Sequence, residues 1–132
     1  MKTIIFSIAF TLLALLSLSS TSYASEEIRV TDFETGIGLG CYGRCGYLAV
    51  TFKIKNIAYD KKVGVSFRGD DGEWRELEAY YVRPLEDGFE EWKISTNFSE
   101  RGGHIEFVGK YEVAGKVYWD NNFNHNFTGD FL

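Results

Sequence analysis

From Ile105 to Phe127 the chain reads IEFVGKYEVAGKVYWDNNFNHNF, two runs of alternating apolar and polar side chains on either side of Ala114 and Gly115. Side chains point to opposite faces at successive strand positions, so two such runs around a two-residue turn describe a β-hairpin whose register the turn dictates. That register pairs Val113 with Lys116, Tyr111 with Tyr118 and Lys110 with Trp119. Ile105, Phe107, Tyr111 and Tyr118 then share an apolar face that belongs in a core. Glu106, Lys110 and Glu112 share the other face, which carries Trp119 into solvent and makes Val108 and Asn121 the next pair along.

The same period of two recurs upstream. Glu27 to Glu34 reads as a first strand, followed by a glycine-rich loop from Gly36 to Gly46. Tyr47 to Lys55 is the clearest half-buried strand, with Leu48, Val50, Phe52 and Ile54 alternating with Ala49, Thr51, Lys53 and Lys55. Asn56 to Lys61 is a connection, and Val63, Val65 and Phe67 mark the next strand. An acidic turn at Gly69 to Glu73 leads into a strand predicted from Trp74 to Val82. Pro84 and Gly88 bound a loop, Phe89 to Ser95 forms a further strand, and Asn97 to Gly103 is a turn. Short strands at regular intervals between turn residues, with no useful helical periodicity, predict an all-β fold, an immunoglobulin-like antiparallel β-sandwich.

The first residues, MKTIIFSIAFTLLALLSLSSTSYAS, have a lysine, an apolar run ending near Leu18, and small residues before a cleavage point after Ala24. This is the pattern of a secretory signal peptide, and the run is short for a membrane span. Residues 1–24 are therefore read as a leader and 25–132 as one domain of 108 residues, room for a single modest core. The expected location is extracellular, or periplasmic in a host with an outer membrane. Without Lys2 the domain has 13 basic against 19 acidic residues, a balance that argues against nucleic acid or an anionic membrane as partner. In an oxidising compartment Cys41 and Cys45 favour a disulfide, closing a loop too short to remove much chain entropy.

Candidate chemistry is sparse. Asp70, Asp71 and Glu73 lack the ligand spacing of a calcium loop, and two separated histidines, His104 and His125, make neither a metal site nor a triad. Neither metal nor cofactor is expected, and Arg68-Gly69-Asp70 is read as a chance tripeptide. Glycoside hydrolysis needs two carboxylates facing across a cleft. Glu90, Glu91, Glu106 and Asp120 are available, but a sandwich this small has little space for such a cleft. An exposed tryptophan beside acids and amides suits a sugar instead, because the indole covers the C–H patch of a pyranose while amides and carboxylates bond its hydroxyls. The plainer alternative for Trp119 is packing over Lys110.

Three ordered blocks, KNIAYDKKVGV (Lys55 to Val65), FEEW (Phe89 to Trp92) and IEFVGKYEVAGKVYWDNN, resemble the starch- and glycogen-binding domains of carbohydrate-binding module family 21, over about Phe52 to Phe127. The resemblance implies a non-catalytic, monomeric β-sandwich whose partner is an α-glucan such as starch, glycogen or a maltooligosaccharide. It implies one site with Trp74 and Trp119 as aromatics beside Asp120, Asn121 and Asn122. It implies a second with Tyr59 and Tyr81 as stacking residues and Asn56, Lys61, Glu90, Asn121 and Asn126 as hydroxyl partners. Two positions depart from the pattern: Val108 stands where relatives often carry a third aromatic, and Phe123 where many continue the asparagine run. Trp92, beside Ile94, is assigned to the core. The alternatives from other classes are a secreted protein-interaction module and a small glycosidase on the same scaffold.

Overall fold

The structure, a computed structural model, describes residues 25–39, 44–98 and 103–131. Among these, nine strands form two antiparallel sheets. They are β1 (Ile28–Leu39), β2 (Arg44–Lys55), β3 (Lys61–Arg68), β4 (Arg75–Glu78), β5 (Tyr80–Pro84), β6 (Phe89–Phe98), β7 (His104–Val113), β8 (Lys116–Asp120) and β9 (Phe127–Asp130). One sheet runs β1-β2-β6-β5; the other runs β4-β3-β7-β8, with β9 also on β7. The predicted β-sandwich is the fold found.

Period-two patterning accounts for the core. Leu48, Val50, Phe52 and Ile54 of β2 bury against Val63, Val65 and Phe67 of β3 and Ile105, Phe107, Tyr111 and Val113 of β7. Each such side chain contributes about 1.5–3 kcal/mol relative to exposure. The Tyr111 hydroxyl donates to the Lys55 carbonyl at 2.7 Å, which satisfies the one polar atom that this ring carries inside.

Three expectations need correction. The glycine-rich stretch is not all loop: β1 continues to Leu39 and β2 begins at Arg44, with Ile37 paired to Gly46 and Gly38 to Cys45. Glycine is there for close approach, since a Cβ on Gly38 would meet Asn97 Oδ1 at 2.4 Å and one on Gly46 the Phe131 ring at 2.9 Å. The predicted strand from Trp74 to Val82 is two strands in different sheets. Ala79 donates to the Val63 carbonyl at 2.7 Å, ending the β3 side, and Tyr80 then pairs with Lys93 of β6. A strand passing from one packed sheet to the other needs a bend and no chain reversal, so no turn residue marks it.

The third correction is β9, a strand beyond the hairpin that the sequence pattern did not announce. β8 and β9 lie in succession along the same side of β7: Gly109 pairs with Asp120, and two residues earlier Phe107 pairs with Phe127. The partner strand therefore extrudes a loop of residues 121–126 opposite Val108. The hairpin itself has the predicted register, Val113 with Lys116, Tyr111 with Tyr118 and Lys110 with Trp119. Its turn residues Ala114 and Gly115 both have positive φ, as a two-residue hairpin turn demands.

Candidate functional site

The outward face of the second sheet presents Ser66 of β3 opposite Val108 of β7, and Trp119 of β8 opposite Lys110. Trp74 enters from the acidic turn immediately before β4. Trp74 is 46 % exposed and Trp119 43 %, and with Ser66, Val108, Asn121 and Asn126 they line a shallow depression of about 340 Å³. The structure thus brings together the two tryptophans that the sequence singled out, with the aliphatic Val108 between them in place of an aromatic.

Each indole has a cation against it, and each cation is held by carboxylates. The Arg68 guanidinium lies 5.0 Å from the Trp74 ring centre and pairs at 2.7 Å with Glu106, its cross-strand partner. The other oxygen of Glu106 accepts from the Asn126 amide at 2.6 Å. The amide bond first, then the Arg68 bond, holds the Glu106 carboxyl below its ordinary value against the opposing effect of burial. The Lys110 ammonium lies 5.4 Å from the Trp119 ring centre, bridges to Glu112 at 2.9 Å, and also bonds Glu76. Those acids, Glu112 foremost, raise the lysine, and the lysine in turn lowers Glu112. Packing over Lys110 and exposure of the indole are thus both realised. The sequence placed Glu106 on this outward face but gave it no partner, and it gave no role to Arg68 or Glu76, because cross-strand pairing between β3, β4 and β7 leaves no local signal.

The extruded loop is built by its own amides. Asn122, Phe123, Asn124 and Asn126 all have positive φ, a conformation that asparagine tolerates better than most residues. Asn121 Oδ1 accepts from the Asn124 backbone at 3.1 Å, and the Asn122 amide donates to the Asn126 carbonyl at 3.1 Å. Asp120, expected as a hydroxyl partner, is instead 3 % exposed. Its carboxylate accepts from the Val30 backbone at 2.8 Å and from the Asn122 backbone at 3.1 Å. Strand parity explains this: Tyr118 points in and Trp119 out, so Asp120 points in again. Asn122 likewise shapes the loop; Asn121, which also bonds within it, and Asn126 line the depression.

The second expected site is gathered only in part. Tyr59 is 96 % exposed on the connection after β2, and Tyr81 lies half exposed on β5. The ring centres of Tyr81 and Trp92 are 5.8 Å apart, edge to face. Trp92 packs against the core, as expected, and donates its indole N–H to Glu90 at 2.9 Å. Glu90 also takes Lys61 at 3.1 Å, and the Lys61 side chain is only 4 % exposed and bonded to Asn56 as well. Lys61 and Glu90 are therefore a nearly buried ion pair rather than free hydroxyl partners. Asn126, expected only at this second site, and Asn121, expected at both, line the depression between the tryptophans. Cys45 is buried; the pairing with Cys41 lies outside the described residues.

A β-sandwich presenting two braced, exposed indoles beside a loop of amides defines a class, a binding module. Residues 41–129 match the carbohydrate/starch-binding module, family 21, and the chain belongs to that family. It is 38% identical over 79 residues to glucoamylase 1 of Rhizopus oryzae and 28% identical over 81 residues to the glycogen-binding subunit 76A of Drosophila melanogaster. These matches cover 56% and 57% of this chain but span only 13% and 12% of those longer proteins. Among solved structures, it is similar to the starch-binding domain of Rhizopus oryzae glucoamylase in complex with beta-cyclodextrin and maltoheptaose. That match has a TM-score of 0.63 at 28% identity and covers 81% of this chain and 95% of that one. The fold is shared also with the carbohydrate binding module of the muscle glycogen-targeting subunit of Protein Phosphatase-1, at a TM-score of 0.58 and 18% identity over 77% of this chain and 73% of that one.

Proposed function

We propose that the protein is a secreted, non-catalytic module that binds α-glucan by stacking pyranose rings on Trp74 and Trp119 and bonding their hydroxyls through Asn121 and Asn126. The observation that carries this reading is the depression between the two indoles, lined on one side by those asparagines. Family membership supplies the ligand class, and the leader-like segment at residues 1–24 supports secretion. The four carboxylates considered for hydrolysis are each already engaged. Glu90 holds Lys61, Glu91 holds Arg83, Glu106 holds Arg68, and Asp120 is spent on backbone N–H groups. Native gel electrophoresis should show retardation by amylose or glycogen and free migration through cellulose-containing or plain gels. Incubation with starch should release no reducing sugar. Equal mobility in all gels would sink the proposal, and released sugar would make the protein an enzyme.

Tyr59 and Tyr81 form a second, weaker platform in this reading. Tyr59 contributes little to the core, so Tyr59→Ala should leave Tm nearly unchanged while lowering affinity for soluble starch several-fold, by removing one of two points of attachment. On maltoheptaose the stoichiometry should fall from about two to about one. Unchanged stoichiometry and unchanged starch affinity would assign Tyr59 no part in binding.

A further inference from the structure

The platform formed by Trp74 and Trp119 is assembled from pieces that the backbone ties to different strands. Trp74 precedes β4, which pairs with β3, while the asparagine loop links β8 and β9, which pair with β7. A line of side chains joins them: the Asn126 amide to one oxygen of Glu106, the other oxygen to Arg68, and the Arg68 guanidinium to the face of Trp74. Resting on the glucan-binding reading above, we infer that Glu106 is the positioning residue of this platform, one carboxylate that fixes the loop and Trp74 relative to each other, so that affinity for a neutral ligand requires its negative charge.

The groups facing Glu106 are Arg68 from β3, Asn126 from the loop, and Thr128 from β9 as its strand neighbour. His104, two positions along its own strand, is paired with Asp130 at 2.8 Å. A maltooligosaccharide has no group that titrates in the acidic range, so any loss of affinity on acidification arises in the protein. Because its bonds hold Glu106 below the ordinary 4.5, it stays ionised through weakly acidic pH and takes up a proton only below that. Protonation then removes the charge that anchors Arg68, and Trp74 loses its brace.

The test is calorimetric titration of maltoheptaose into the intact protein at a series of pH values between about 7 and about 3.5, with circular dichroism recorded at each. Wild-type affinity should hold through the weakly acidic range and then fall while the protein is still folded. Glu106→Gln should bind about ten-fold more weakly at neutral pH, as expected for one lost charge-assisted bond, and should show no acid fall. Arg68→Met, at a partly exposed position, should behave in the same way, and Arg68→Lys should recover part of the affinity. It also carries the test if Glu106→Gln does not fold. Wild-type affinity in both Glu106→Gln and Arg68→Met, or an acid fall that persists in them, would overturn the inference. So would a lower Tm with unchanged affinity per folded molecule, the signature of a purely structural role. Absence of binding by the wild type at every pH would strike the functional reading itself.

Discussion

Trp119→Ala is expected to weaken maltoheptaose binding at the tryptophan platform by roughly five-fold to hundred-fold and to leave the fold intact. Stacking of a planar ligand face on an aromatic side chain is worth about 1–3 kcal/mol by truncation, which is roughly a five-fold to hundred-fold change in Kd. The indole is outward and 43 % exposed, so its removal uncovers little core. What it does lose on the protein side is the contact with Lys110, a cation already held by Glu112 and Glu76, worth about 0.5–1 kcal/mol at an exposed site. Isothermal titration together with thermal melting separates the two effects. A fall in Tm on the order of 10 °C with unchanged affinity per folded molecule would mean that the indole is a packing residue and the depression is not the site.

Asp120→Ala should do the reverse, costing stability first and binding through it. The carboxylate is buried and accepts two backbone N–H groups, one on β1 and one at the start of the asparagine loop. Truncation leaves both donors without an acceptor, at a cost of about 3 kcal/mol, or a Tm lower by roughly 15 °C. Loop residues Asn121 and Asn126 would lose their anchor as well, so affinity at a temperature where the variant is folded should also decline. Asp120→Asn keeps an acceptor and should cost about half as much. A variant Asp120→Ala with wild-type Tm but impaired binding would return Asp120 to the role of a ligand contact.

Asp120 also shows what was legible in the sequence and what was not. The hairpin register follows from Ala114 and Gly115 alone, and it correctly turns Trp119 outward. The same parity turns Asp120 inward, yet the family resemblance placed it with Asn121 and Asn122 beside the tryptophans; the signal was present and the resemblance masked it. Glu90 is a parallel case, since Ile94, Trp92 and Glu90 alternate onto one face of β6. Other features leave no trace of this kind. The passage of the chain between sheets at Ala79 uses no turn residue, and β9 is short, with one glycine in four positions. The Arg68–Glu106 pair depends on a register between β3 and β7 that neither strand encodes by itself. Local chemistry specifies strands and turns; the juxtaposition of distant strands is settled by burial of the whole core.

The passage at Ala79 also has a metrical consequence. Trp74 and Tyr81 sit at the two ends of one short extended run, seven residues apart, so their backbones are separated by at most about 25 Å. Both ends are fastened to different sheets by strand pairing, which makes this distance a property of the fold and not of a fluctuating tether. On the proposed two-platform binding, a glucan that reaches from the tryptophans to the tyrosines gains by intramolecular capture, and lengthening it further adds nothing to that gain. The module is in this sense a gauge: affinity should climb with chain length up to the span between its platforms and then level off, a plateau whose position reads out the distance directly.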